Sequence, residues 1–228
     1  MLLALLTACG GCRSPGDSGP TPDLTAREPC ADSQPLRQLL WGDLHVHTSL
    51  SFDAWVYDMR LTPDDAYAFA QGEVVTLPPL GADGVGTTEV QLSRPLDFAA
   101  ITDHAEFFGE VYACSTEGVL GYDSDLCAGY READATSIQE FGVRLAAQDP
   151  ERFEGLCSDD GCGEISDSIW ADVQRAAEDA YDRTEACEFT SFVGYEWSGA
   201  TNVVNLHRNV IFGSAVVPDA PLTYFEEP

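Results

Sequence analysis

Residues 41–53 read Trp41-Gly42-Asp43-Leu44-His45-Val46-His47-Thr48-Ser49-Leu50-Ser51-Phe52-Asp53. The run from Gln38 to Val46 is short, apolar and ends in histidine, and it is predicted to be a β-strand. Alternate residues of a strand share a face. Asp43, His45 and His47 therefore point the same way. Two neutral imidazoles side by side, with a carboxylate behind to orient one of them, is how a metal site is built.

The chain has four histidines, and each lies at or near the end of a predicted strand. The strand Pro95–Thr102 runs into Ile101-Thr102-Asp103-His104. Its same-face neighbours Thr102, Ala100 and Phe98 are mostly small and leave room around His104. The strand Glu188–Tyr195 closes on Glu196, in Val193-Gly194-Tyr195-Glu196-Trp197. The strand Leu206–Phe212 begins at His207. Taken singly, each residue has a plain explanation: a lone buried histidine is more often hydrogen-bonded in a core, and a lone strand-end glutamate is usually solvated. The combination is stronger, because it leaves no histidine over for an ordinary surface role.

Helices are predicted between these strands. Thr62–Gln71 starts Thr-Pro-Asp-Asp, with Thr62 as N-cap. Ala133–Gln148 and Ser166–Thr184 follow, the latter carrying Ile169, Val173, Ala176, Ala177 and Ala180 on one side. Strands separated by helices give a mostly parallel α/β arrangement. The stretch from Ala105 to Cys187 reads as an insertion holding Cys114, Cys127, Cys157 and Cys162.

The 228 residues carry 11 Lys+Arg against 39 Asp+Glu, a net charge of −28. A polyanion repels phosphate backbones, so no nucleic-acid partner is expected. Every basic residue is arginine, which removes the P-loop lysine and Schiff-base chemistry. At 44% hydrophobic and 10% aromatic the chain can bury a core, which excludes wholesale disorder.

The N-terminus, Met1-Leu-Leu-Ala-Leu-Leu-Thr-Ala-Cys9, resembles a bacterial lipoprotein signal, with Leu6-Thr7-Ala8-Cys9 as its lipobox. That resemblance implies cleavage before Cys9, lipid on its thiol, and a periplasmic or outer-membrane-anchored protein. Residues 1–9 are then the signal segment. A Gly/Pro/Ser-rich tether follows over 10–37, and the globular part is 38–228. Eight cysteines suit an exported protein. Setting aside Cys9 and Cys12 leaves six, which permit 15 connectivities. The expected pairs are Cys114–Cys127 and Cys157–Cys162, each closing a short loop, with Cys30–Cys187 as the third. A cysteine-based zinc site is the rival, but no Cys/His cluster supports it.

The four histidine- and glutamate-bearing segments, in order, resemble the motifs of the PHP (polymerase and histidinol phosphatase) superfamily. The wording Pro95-Leu-Asp-Phe98, Gly194-Tyr-Glu-Trp197 and Leu206-His-Arg-Asn-Val-Ile-Phe212 is similar to a bacterial PHP-like family of unknown function. The resemblance implies a distorted (β/α)7 barrel, present here in incomplete form and with a disulfide-bearing insertion. Two or three divalent metal ions would sit at its strand ends in a complete site. His45 and His47 would bind the first ion, Glu196 would bridge the first and second, His207 would bind the second, and Asp53 and His104 the third. Asp43, Asp103 and Arg208 are the candidate catalytic side chains beside them, Arg208 to meet an anionic substrate.

Imidazole and carboxylate donors suit zinc, manganese or iron. The chemistry expected is hydrolysis of a small-molecule phosphoester by metal-bound hydroxide. Removal of signal and tether leaves roughly 190 residues, short of the ~250 of a (β/α)8 barrel, with four recognisable strands of seven. A fragment of a longer protein or a degenerate product is therefore expected. The alternatives to a hydrolase are a non-catalytic exported metal-binding or interaction domain, and a lipoprotein without metal. The oligomeric state is left open.

Overall fold

The computed structural model describes residues 29–157, 161–200 and 204–226. Cys9, Cys12 and the tether up to residue 28 lie outside the described residues. Strand β1 (Gly42–Val46) is followed by a short helix α1 (Phe52–Val56), helix α2 (Pro63–Ala70), and a hairpin of β2 (Val75–Leu80) and β3 (Gly86–Val90). Strand β4 (Phe98–Ile101) leads through a 3-10 turn (Ala105–Phe107) into four helices: α3 (Phe108–Ser115), α4 (Asp125–Arg131), α5 (Ala135–Ala146) and α6 (Gly163–Ala180). Strands β5 (Thr190–Phe192), β6 (Gly194–Gly199) and β7 (Leu206–Ile211) close the order.

The result is a mixed α/β fold. A three-stranded sheet in the order β1-β4-β5 is parallel throughout. The pairs β2–β3 and β6–β7 are antiparallel. The parallel expectation thus holds for the central sheet, but no closed barrel forms among the described residues. Loop length explains the two antiparallel pairs. A parallel pair needs a crossover of about a dozen residues or more, whereas short connections return the chain antiparallel.

The predicted strand Glu188–Tyr195 is two strands. Its first part pairs with β4, and after Val193 the chain leaves that sheet to pair with β7. A further parallel bridge joins Glu196 to His104. Gly42 permits the close approach of β1 to β4, since a Cβ there would lie 2.3 Å from the Phe98 carbonyl oxygen. Helix α2 begins as its sequence requires. Thr62 Oγ1 accepts from the Asp65 amide, and the Asp65 carboxylate accepts from the Thr62 amide at 2.8 Å, a capping box that satisfies two otherwise orphaned donors.

Two apolar clusters hold the molecule together. In the first, Ile169, Trp170, Val173, Ala176 and Ala177 of α6 pack with Tyr67 of α2 against Ala99 and Ile101 of β4. Burial of each large side chain contributes on the order of 2 kcal/mol. The second is built mainly from the insertion, where Phe107, Val111, Tyr130, Phe141, Leu145 and Phe153 cluster with the Cys114–Cys127 disulfide, joined by Trp55 and Tyr224 from outside it. Cys157 pairs with Cys162 across a short loop, and Cys30 pairs with Cys187 as the expected third bridge. The Cys30–Cys187 bond ties the segment before β1 to the loop before β5 across 157 residues of sequence. Three disulfides point to an oxidising, extracytoplasmic setting. Among the described residues, no helix is long and apolar enough to cross a membrane.

Candidate metal centre

Parallel strands end on the same side, and ligands of open α/β sheets bind beyond those carboxyl ends. His47 follows the last residue of β1, and His104 lies three residues past β4. Glu196 and Ser198 lie on β6, and His207, which pairs with Ser198, lies on β7. The four histidines meet there. Ring centroids are 5.1 Å apart for His45–His47, 4.7 Å for His47–His104 and 5.2 Å for His104–His207.

Glu196 is their common partner, and its side chain is fully buried. Its Oε2 lies 3.0 Å from His45 Nε2 and 2.8 Å from His47 Nε2. Its Oε1 meets His207 Nδ1 and stands 4.0 Å from His104 Nδ1. Asp53 sits on the other side of two of these rings. Its Oδ1 is 3.2 Å from His47 Nδ1, and its Oδ2 is 3.5 Å from His104 Nε2. The N-terminal turn of α1 fixes Asp53, because Ser51 Oγ and the Ala54 amide both donate to Oδ1.

The cluster is strongly polarised. Burial opposes charge on His47, yet hydrogen bonds to Asp53 and Glu196 overcome it and raise its pKa to about 10. Burial also opposes charge on Glu196, but His47, His104 and His207 bring it down to about 2. Asp53 is likewise held far below the usual carboxylate range, against burial, by His104 and His47. With protons alone, His47 is therefore an imidazolium between two carboxylates. A divalent cation bound here would have to displace that proton, because imidazole binds metal through its deprotonated nitrogen.

The donors fall into three overlapping groups that could each hold an ion: His45–His47–Glu196, His47–Asp53–His104 and His104–Glu196–His207. Within each group the ligand atoms lie within 4.8 Å of one another. Nitrogen and carboxylate oxygen in this proportion fit zinc, manganese or iron. All six residues expected as metal ligands are thus brought together.

The three expected catalytic residues are placed differently. The carboxylate of Asp43 accepts from the backbone amide of His45 at 3.0 Å through one of its oxygens. Asp103 is buried and spends its carboxylate on Thr48, accepting from the Thr48 amide and, at 2.7 Å, from Thr48 Oγ1. It clips the end of β1 to the end of β4, and burial raises its pKa to about 6. Arg208 is exposed and donates to the His207 carbonyl at 2.7 Å.

Two residues escaped the sequence reading. Ser198 Oγ lies 2.7 Å from His104 Nδ1 and 3.4 Å from His207 Nδ1. Its one signal was the same-face spacing from Glu196. Glu106 is fully buried behind the cluster, with Oε1 accepting from the Ser198 amide at 2.8 Å. Burial raises its pKa to about 8, and nothing in the sequence marks it.

The fold and site define a mixed α/β domain with a candidate metal centre of histidines and carboxylates beyond the ends of its parallel strands. The chain belongs to a family described as a protein of unknown function (DUF3604), whose model matches residues 34–228. No curated protein matches the chain, and no solved structure does.

Proposed function

We propose that the chain is a metal-dependent hydrolase of the PHP type, acting on small-molecule phosphoesters. The distorted (β/α)7 arrangement that this resemblance implies goes with the proposal. The observation that carries it is Glu196, a fully buried carboxylate whose ionic partners among the described residues are imidazoles and include no arginine. Divalent cations at such a centre would polarise water towards a nucleophile near neutral pH and clamp the oxygens of a phosphoester. Glu196 and Asp53 supply the negative charge that retains them. His45 and His207, whose side chains are 60% and 44% exposed, form the open side on which substrate arrives. Because the chain carries −28 overall, an anionic substrate is attracted only where the cations dominate the local field.

The proposal includes export and anchoring to a membrane through lipid on Cys9. Its test is hydrolysis of generic phosphomonoesters and diesters by protein loaded with zinc, manganese or iron. Activity that vanishes in both His45→Ala and His47→Ala supports it. Loaded, folded protein with no such activity contradicts it. One observation favours a second reading, a metal-binding or interaction domain without catalysis: Arg208, the expected receptor for an anionic substrate, is engaged by the carbonyl of its own neighbour.

A further inference from the structure

A cavity of about 420 Å3 lies between the parallel sheet, helix α2 and the β2–β3 hairpin. Ala66 and Phe69 of α2, Leu77 and Val90 of the hairpin, and Ala99 and Ile101 of β4 form its walls. Along β1 it is lined from Gly42 to Val46, a length of about 13 Å at 3.3 Å per residue. His47 and Thr48 continue the lining beyond the carboxyl end of that strand. Water against such walls finds few polar partners, so its displacement by an apolar group is favourable. The volume is in the range of small-molecule sites.

Charge and shape decide what fits. Of the lining residues only Asp43 and His47 can ionise, and none is arginine. His47 is already matched by Asp53 and Glu196. An anionic group inside would meet no free cation among the lining residues, so the occupant is uncharged. The wall runs the length of a strand, and Phe69 is its one aromatic ring besides His47. That suits an extended aliphatic chain better than stacked rings. His47 also belongs to two donor groups of the candidate metal centre, so the cavity adjoins that centre and one ligand can span both. We infer that the cavity receives an alkyl chain of the substrate while its phosphoester stands at the strand ends. The substrate is then an amphiphile, a phosphoester of an aliphatic alcohol, and Ala66, Phe69, Leu77 and Val90 limit the chain it carries. This inference rests on the hydrolase reading proposed above and adds the substrate class.

The n-alkyl monophosphates from ethyl to hexyl test it, because their leaving alcohols have nearly the same acidity and differ in apolar length. For the metal-loaded full chain, kcat/KM is expected to rise about fourfold per methylene. The rise is lost in Ala66→Trp and in Val90→Trp, which fill the cavity from different walls. Val90 lies on the hairpin, apart from the main sheet, so its variant serves if the α2 variant does not fold. The neutral dye N-phenyl-1-naphthylamine, which fluoresces in apolar surroundings, gives a readout without catalysis. It is expected to bind the chain, to be displaced by n-hexanol, and to lose its site in both variants. Hydrolysis that does not depend on chain length overturns the inference and leaves the hydrolase reading standing. Dye displaced by hexanol, with no ester hydrolysed, overturns the hydrolase reading and keeps the cavity as a site for an alkyl chain. Dye binding that neither folded variant alters, or a dimer that dissociates in the variants, overturns the inference whatever the activity.

Discussion

Two fully buried glutamates in this molecule have opposite partners. Glu110, in the insertion, faces Arg152, whose Nη1 lies 3.2 Å from both of its carboxylate oxygens. Glu196, at the strand ends, faces imidazoles. Arginine stays charged at every accessible pH and cannot yield its place. Imidazole can hold a proton, or lose it to water and offer the freed lone pair to a metal. The insertion is accordingly a closed structure, with aromatic packing, two disulfides and a permanent ion pair. The strand ends form an open one, whose carboxylates face only imidazoles among the described residues. Phe52 is the seam between them, its ring centroid 5.0 Å from that of His104 and 5.5 Å from that of Phe107. One region supplies rigidity and the other supplies reactivity.

The contrast can be broken from either side. The largest effect is expected in the insertion. Arg152→Leu leaves Glu110 buried without its cation and lowers stability by about 3–5 kcal/mol, measured by chemical denaturation. Metal stoichiometry of the molecules that remain folded is unchanged. The double variant Cys114→Ser/Cys127→Ser opens a loop with a sequence separation of 13 and costs about 3 kcal/mol in the chain-entropy account. It too leaves metal content alone.

At the strand ends the order of effects reverses. Glu196→Gln removes a carboxylate from two donor groups and lowers metal affinity by about a hundredfold, or roughly 2.7 kcal/mol, read by titration calorimetry. The smallest effect sharpens the contrast through pH. Burial raises the folded pKa of Glu106 to about 8 from an ordinary 4.5, so between those values the folded state holds a proton that the unfolded state has lost. Stability from this group therefore falls as pH rises through that window. Glu106→Gln is expected to exceed the wild type by about 1–2 kcal/mol at pH 8, with the gap closing towards pH 5.

How far the sequence foretold this depends on how local each signal was. Period-two alternation placed His45 and His47 on one face, and a capping box is written in Thr62-Pro-Asp-Asp65, so β1 and α2 were legible. Cys114–Cys127 and Cys157–Cys162 followed from short loops, and Cys30–Cys187 from the position of both cysteines before a predicted strand. The β2–β3 hairpin was missed because Leu77-Pro78-Pro79-Leu80 argues against a central strand, and proline is tolerated there only because the hairpin stands apart from the main sheet. The switch at Val193 was hidden, since a continuous β-forming run does not show where a chain changes partners. Helix α1 is five residues long, too short for any helical period to appear.

Within the site, residue types with strong ligand character were found, and those acting through geometry were not. Ser198 is an ordinary hydroxyl until β6 sets it between two imidazoles. Asp103 looked reactive because it adjoins His104, but the burial that encloses it turns its carboxylate to Thr48. The barrel came from resemblance and not from periodicity, and the described residues form separate sheets.

The most direct test of the central claim, that Glu196 and its histidines form a seat for divalent cations, is metal analysis of the folded chain. The protein is loaded with zinc, manganese or iron and dialysed free of excess before its metal is counted. The account expects at least one ion per chain, held about a hundredfold more weakly in Glu196→Gln. Less than ~0.2 ion per chain in folded wild-type protein, for all three metals, would contradict it.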